Sequence, residues 1–189
     1  AVMQVQKCFL VTQDEQGLLI IDQHALHERI MFEELSKRMA LGNLESQRML
    51  VPDAFDADGG QIEALETHAE LFEKLGIDTS ASGPASISVY ALPTLLVSRN
   101  VNGAEFIREL LDKLGSSDFP SSEEEALSEV LDMMSCKAAI KAGDYLNPQE
   151  LSDLLKKRKE IERGSNCPHG RPTTMRLSIE ELEQRFGRR

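Results

Sequence analysis

Cysteine is scarce in this chain, and long apolar runs are missing altogether. The 189 residues hold three cysteines, Cys8, Cys136 and Cys167, too few for a disulfide framework in a chain of this length. A reducing compartment is therefore expected. No run of apolar residues approaches the length of a membrane span, so no membrane partner is expected. No signal-peptide pattern opens the sequence. The first residue is Ala1 and a strand pattern follows almost at once, as expected of a piece of a longer protein. The length suits one large domain or two small ones with a real core.

The net charge of −11 is unevenly placed. Residues 53–125 carry 15 acidic and 4 basic side chains, whereas the remainder carries 17 of each. The whole imbalance belongs to the middle of the chain, a shift of the kind that separates lobes.

The stretch from Leu18 to Glu34 carries the first chemistry. Leu18 to Ile21 is a continuous apolar segment that reads as a buried strand. Asp22 closes it. From about Gln23 the apolar residues Leu26, Ile30, Leu35 and Met39 recur at helical intervals, with Met31 and Phe32 widening the stripe. His24 and Glu28 then stack on one helix face, and Asp22 at the strand end points toward the same space. An imidazole and two carboxylates at such a corner make half of a divalent-metal site. A His–Glu pair at this spacing is also commonly just a surface hydrogen bond. With His27 the order is H-x-x-H-E, which matches neither helical motif of the zinc peptidases.

Upstream, residues 5–13 read as one strand, and Asp14 to Gly17 as the turn of a hairpin. The helix should end near Gly42 and Asn43. In the middle, Ile62, Leu65, Ala69, Phe72 and Leu75 predict one helix ending at Gly76. Ile87 to Leu92 predict a strand stopped by Pro93, and Leu95 to Val97 a further strand. Phe106, Ile107, Leu110, Leu111 and Leu114 predict an amphipathic helix. His68 reads as a surface histidine. The next helix is expected from Glu124 to Ala142, with Cys136 inside it as a small core residue. Pro148 opens another helix at the position where its missing N–H does no harm. That helix ends in Lys156, Lys157, Arg158 and Lys159, the densest cationic cluster of the chain. A strand over 173–177 and a helix over 179–186 close it.

Two further stretches carry chemistry. Gln47 to Pro52 has the form Q-x-x-L-x-P: a hydrogen-bonding Gln47, apolar anchors Met49 and Leu50, and a stiffening Pro52 that limits any strand to the residues before it. Such a peptide docks extended into an apolar groove, although an apolar run before a proline is also an ordinary strand end. Cys167 and His169 stand two apart in a loop made rigid by Pro168, Gly170 and Pro172. A thiolate and an imidazole have the softness that Zn²⁺ prefers.

Taken in order, these stretches resemble one family. Asp22-Gln23-His24-Ala25, Glu28 and Glu33 match the D-Q-H-A-x₂-E-x₄-E endonuclease motif of the MutL mismatch-repair family. Ser135-Cys136-Lys137 is similar to its Ala/Ser-Cys-Lys/Arg motif, and Cys167 to Pro172 to its C-P-H-G-R-P motif. Gln47 to Pro52 falls where bacterial members carry a segment that binds the sliding clamp, and Glu183 to Arg188 resembles the terminal element. The resemblance spans essentially the whole chain.

It implies the C-terminal domain of a bacterial, cytoplasmic MutL that nicks DNA. The implied fold is α+β and two-lobed. A dimerisation lobe is built from both chain ends, residues 1–52 with 126–189. An inserted acidic α-β-β-α outer (regulatory) lobe covers 53–125. The resemblance implies Asp22, His24 and Glu28 as catalytic residues and, with Cys136, Cys167 and His169, as metal ligands. Zn²⁺ would be structural or regulatory, and Mn²⁺ or Mg²⁺ would support the nick. Glu33 lies about 140° around the helix from Glu28, so it and Gln23 are expected to support the ligands from behind. The implied partners are a second copy, DNA, the sliding clamp, and a mismatch-recognition protein acting through an N-terminal ATPase domain absent here. Candidate DNA contacts are Lys137, Lys141, Lys156, Lys157, Arg158, Lys159 and Arg171, with Arg163 and Arg176 nearby. At −11 the chain should bind DNA weakly and nick little in isolation. Two readings compete: a non-catalytic, zinc-stabilised dimerisation and clamp-docking module, and more weakly a zinc peptidase.

Overall fold

The computed structural model describes residues 2–141, 143–161, 167 and 170–188. Its elements in order are β1 (Val2–Val5), β2 (Phe9–Asp14), β3 (Gly17–Asp22), α1 (Gln23–Met39), β4 (Ser46–Asp56), α2 (Gly59–Thr67) and α3 (Ala69–Lys74). There follow β5 (Asp78–Gly83), β6 (Ser86–Pro93), α4 (Thr94–Ser98), α5 (Gly103–Leu114), α6 (Glu123–Ala138), α7 (Pro148–Glu160), β7 (Thr174–Ser178) and α8 (Ile179–Arg185). The fold is α+β, as expected, with two antiparallel sheets in two compact units. One unit joins residues 1–33 to 139–189; the other is 34–138. Among the described residues no helix is long and apolar enough to cross a membrane.

The first unit is built on a sheet of order β1-β2-β3-β7. Alternation along β2 and β3 buries Leu10, Leu19 and Ile21, the period-two pattern of a sheet with one covered face. α1 buries Leu26 and Ile30, and α7 buries Leu151 and Leu154. The β2–β3 turn is held by Asp14, whose Oδ1 accepts from the Gln16 N–H at 2.9 Å. Arg176 on β7 donates to both Asp14 oxygens, at 2.6 and 2.7 Å, and holds this carboxyl down at about 2. The expected strand over 5–13 is instead two strands. Gln6 and Lys7 both take φ of 52°, and the Cys8 N–H closes the turn on the Val5 carbonyl at 3.1 Å. That is a type I′ turn made without the Gly or Asn that normally marks one.

The second unit carries the sheet β4-β6-β5. β6 buries Ile87, Val89, Ala91 and Leu92, and α5 buries Phe106, Ile107, Leu110, Leu111 and Leu114. α5 packs on β6, β4 and α2. Asp58 caps α2 in a capping box with Gln61.

Several expected elements differ. The helix over 62–75 is broken at His68, which ends α2 and begins α3. Leu95 to Val97 lie in α4, not in a strand. The missing strand is β5, whose Thr79, Ser80 and Ser82 hide it from a search for apolar runs. β4 runs through Pro52, because the ladder with β6 breaks after Arg48 and resumes at Asp53. The proline needs no ladder partner there. α6 stops at Ala138, before the expected 142, and the Ile140 N–H turns to the His27 ring instead.

The unit junctions fall at 33/34 and 138/139, further out than the 52/53 and 125/126 read from charge. β4 hydrogen-bonds to β6 across both halves of its length. α6 is tied to its neighbours by Lys74–Glu123, Lys113–Glu129 and Lys137–Glu109.

Gly17 takes φ of +145°, and a Cβ there would stand 2.2 Å from the Leu177 carbonyl oxygen of the adjoining strand. Gly17→Ala should therefore destabilise the chain by more than the about 1–3 kcal/mol of a strained backbone alone. The shift of the urea midpoint measures it.

Candidate metal centre

The corner between β3 and α1 is held by backbone first. The Asp22 N–H donates to the Thr173 carbonyl at 2.8 Å, and the Gln23 N–H to the Cys8 carbonyl at 2.9 Å. Asp22 Oδ1 then accepts from the Ala25 N–H at 3.0 Å, which caps the helix and contributes about 1 kcal/mol. Gln23 is buried. It accepts from Gln4 Nε2 at 2.6 Å and donates to the Asp144 carbonyl at 3.2 Å. Its support is thus given to the segment around Asp144.

His24 and Glu28 come together as their spacing predicts. A ring nitrogen of His24 and a carboxylate oxygen of Glu28 lie within 4.8 Å of each other. Glu28 is only 4 % exposed, and a carboxylate so buried is costly unless it is paired or bound to a cation. His24 Nδ1 lies 2.8 Å from the Ile140 carbonyl oxygen. A carbonyl only accepts, so Nδ1 carries the proton and the ring's lone pair is at Nε2. That is the outer contact a metal-binding histidine usually makes. The donor set of one imidazole nitrogen and one carboxylate suits a divalent cation.

The Asp22 carboxylate is turned to the helix N-terminus as a cap. Cys167 is buried, its N–H bonded to the Arg171 carbonyl and its carbonyl to the Gly170 N–H. His169 lies outside the described residues, as does Arg163. Cys136, expected as a small core residue from its helix and as a metal ligand from the resemblance, is exposed on α6 of the second unit. Glu33 forms an ion pair with Arg29, whose guanidinium also lies over the Phe32 ring. His27, which sequence reading treated only as a peptidase candidate, is buried and accepts from the Ile140 N–H at 3.1 Å. Its spacing of three from His24 on one helix was the available signal.

The Q-x-x-L-x-P segment lies on β4. Gln47 and Arg48 are paired with β6, but Met49 to Pro52 fall in the break of the ladder. Leu50 is fully exposed and Val51 largely so, while Met49 is half-buried. Of the candidate DNA contacts, Lys137 is engaged by Glu109 at 2.7 Å and Lys156 by Asp153 at 3.4 Å. Arg158 donates to Thr174 Oγ1 at 3.4 Å. Lys157 to Lys159 occupy the last turn of α7, where cations also favour the helix dipole. Lys141, Lys159 and Arg171 are exposed.

The first unit's sheet leaves its other face apolar. The register places Met3, Val11, Ile20 and Met175 in one row across all four strands. Met3 and Met175 are exposed, as are Phe9 on β2, Ile179 on α8 and Phe186 just past the end of α8. Such a face is the mark of a protein-contact surface.

Fold and surface together define an α+β domain with an exposed apolar sheet face and a candidate divalent-cation pair at a strand–helix corner. Residues 2–146 match the family described as the MutL C-terminal dimerisation domain. The chain is 33 % identical to the DNA mismatch repair protein MutL of Rhodopseudomonas palustris (strain BisB5) over 98 % of its length, covering 31 % of that protein. The MutL proteins of Nitrobacter hamburgensis and Caulobacter vibrioides are also 33 % identical over 98 % of the chain, which covers 30 % and 29 % of them. The chain belongs to the MutL C-terminal dimerisation domain family and spans about a third of the length of these relatives.

Proposed function

We propose that this chain is the divalent-metal-dependent endonuclease domain of a bacterial mismatch-repair protein, nicking one strand of DNA. The observation that carries the reading is the pairing of half-buried His24 with buried Glu28, with the His24 lone pair at Nε2. Asp22, Cys136, Cys167 and His169 complete the proposed ligand set. Cys136 lies four residues before Ile140 in the chain. The thiols suit Zn²⁺ in a structural or regulatory role, and the carboxylates suit Mn²⁺ or Mg²⁺ for the nick. A bound divalent ion supplies Lewis acidity and a coordinated water of lowered pKa. The chain's own part is to present His24 Nε2 and the Glu28 carboxylate from one helix face. Asp22 fixes the start of that helix.

The acidic balance supports weak DNA binding by the domain alone, since affinity for phosphates comes mainly from Lys and Arg. Recruitment then falls to Gln47, Met49, Leu50 and Pro52 as a sliding-clamp segment, and to an N-terminal ATPase domain that answers a mismatch-recognition protein. The fully exposed Leu50 supports the clamp reading. The apolar row of Met3, Val11, Ile20 and Met175 supports a homodimer.

A second reading is favoured by the cap that Asp22 makes: a non-catalytic docking module with a structural zinc. Asn caps helices as well as Asp does, so Asp22→Asn separates the two readings. In the full-length protein it should keep zinc content and dimerisation and lose clamp-stimulated plasmid nicking by about 10–100-fold, the usual scale when a group at a metal site is removed. Nicking at the parent rate would leave the docking module. Gln47→Ala with Leu50→Ala should abolish clamp stimulation and spare metal content; unchanged stimulation removes the clamp assignment. Met175→Glu should give monomers by sedimentation, with the far-ultraviolet circular dichroism of the parent.

A further inference from the structure

Ile140, two residues past the end of α6, meets two histidines with its two backbone groups. Its carbonyl oxygen lies 2.8 Å from His24 Nδ1, and its N–H donates to His27 Nδ1 at 3.1 Å. These contacts fix both tautomers. The carbonyl has no proton to give, so His24 is protonated on Nδ1. The N–H has no lone pair to offer, so His27 keeps its lone pair at Nδ1 and, as a neutral ring, its proton on Nε2. Two rings on adjacent turns of one helix thus sit in opposite tautomers, both dictated by one residue.

The Ile140 groups lie on separate peptide planes joined at its Cα. His27 holds the plane that carries the N–H. The other plane, carrying the carbonyl, is held at its far side by the Lys141 N–H, which donates to Asp144 Oδ2 at 2.9 Å. Asp144 is in turn fixed through its carbonyl by Gln4 at 2.9 Å and Gln23 at 3.2 Å. α1 therefore grips this strap at Gln23, His24 and His27, three residues of its first two turns.

We infer that His27 is a positioning residue for the His24 lone pair: by holding the 139–140 peptide it anchors the Ile140 Cα, the near end of the plane whose carbonyl His24 Nδ1 must meet, so Nε2 stays presented to a cation. This rests on His24 being a metal ligand, but its first test does not. In ¹⁵N-labelled, metal-free chain, the ring-nitrogen spectrum should show His24 protonated on Nδ1 and His27 on Nε2. His24 protonated on Nε2 would overturn the inference whatever the metal does.

The second test uses Co²⁺ as the probe. His27→Phe removes the acceptor and should weaken Co²⁺ binding by about 10–100-fold, the usual cost of losing a contact behind a ligand. It should also mix the His24 tautomers. His27→Asn places Oδ1 where Nδ1 stands and should restore both. His27→Gln places its amide at the Nε2 position, should behave like His27→Phe, and replaces it if that variant does not fold. Equal affinity and tautomer in the Phe, Gln and parent chains would overturn the inference, as would failure of His27→Asn to rescue. If the parent binds no Co²⁺ that His24→Ala abolishes, the metal reading itself fails while the tautomer result still decides the positioning role.

Discussion

Everything at the candidate centre depends on one junction, where a buried strand becomes a helix without a connecting loop. β3 ends at Asp22 and α1 begins at Gln23, so one residue must complete a sheet and start a helix. Asp22 does so by donating its N–H to the Thr173 carbonyl and accepting from the Ala25 N–H on its Oδ1. The result is a helix whose first turn is fixed in direction by the sheet. A side chain one or two turns along it is then placed with the accuracy of the strand ladder, which a flexible loop would not provide. Glu28 profits most, since a buried carboxylate is costly unless its partners are in place.

The parts of this arrangement that obey a period were readable from the chain. Helical spacing put His24 and Glu28 on one face, and the stripe from Phe106 to Leu114 gave α5 almost residue for residue. What escaped had no periodic or compositional mark. The Gln6–Lys7 turn uses positive φ without glycine. β5 is an edge strand of mostly small polar residues, whose place is set by the ladder to β6. The break at His68 divides a stripe that reads as continuous. The charge boundary at 53 marked where the acidic excess begins, but β4 was already committed to β6 from Ser46 onward. Backbone pairing decided the unit; charge only decorated it.

The contacts that set the histidine tautomers belong to the same invisible class. They join α1 to a segment 113 and 116 residues away through main-chain atoms of Ile140. No side-chain identity at 140 announces them, since any residue but proline supplies the same N–H and carbonyl. Sequence reading sees ligands because their chemistry is in their side chains. It does not see the backbone that decides which atom of a ligand faces the ion.

The interruption in β4 has a consequence for how its sequence can change. Between the pairs Arg48↔Ala91 and Asp53↔Val89, four residues of β4 face a single residue of β6. The surplus is absorbed locally, and the strand regains register on the far side. Met49 to Pro52 can therefore vary, lengthen or shorten without shifting the ladder that holds Phe55 in the core. The exposed segment and the paired residues that hold the fold are thus separate residues within one strand.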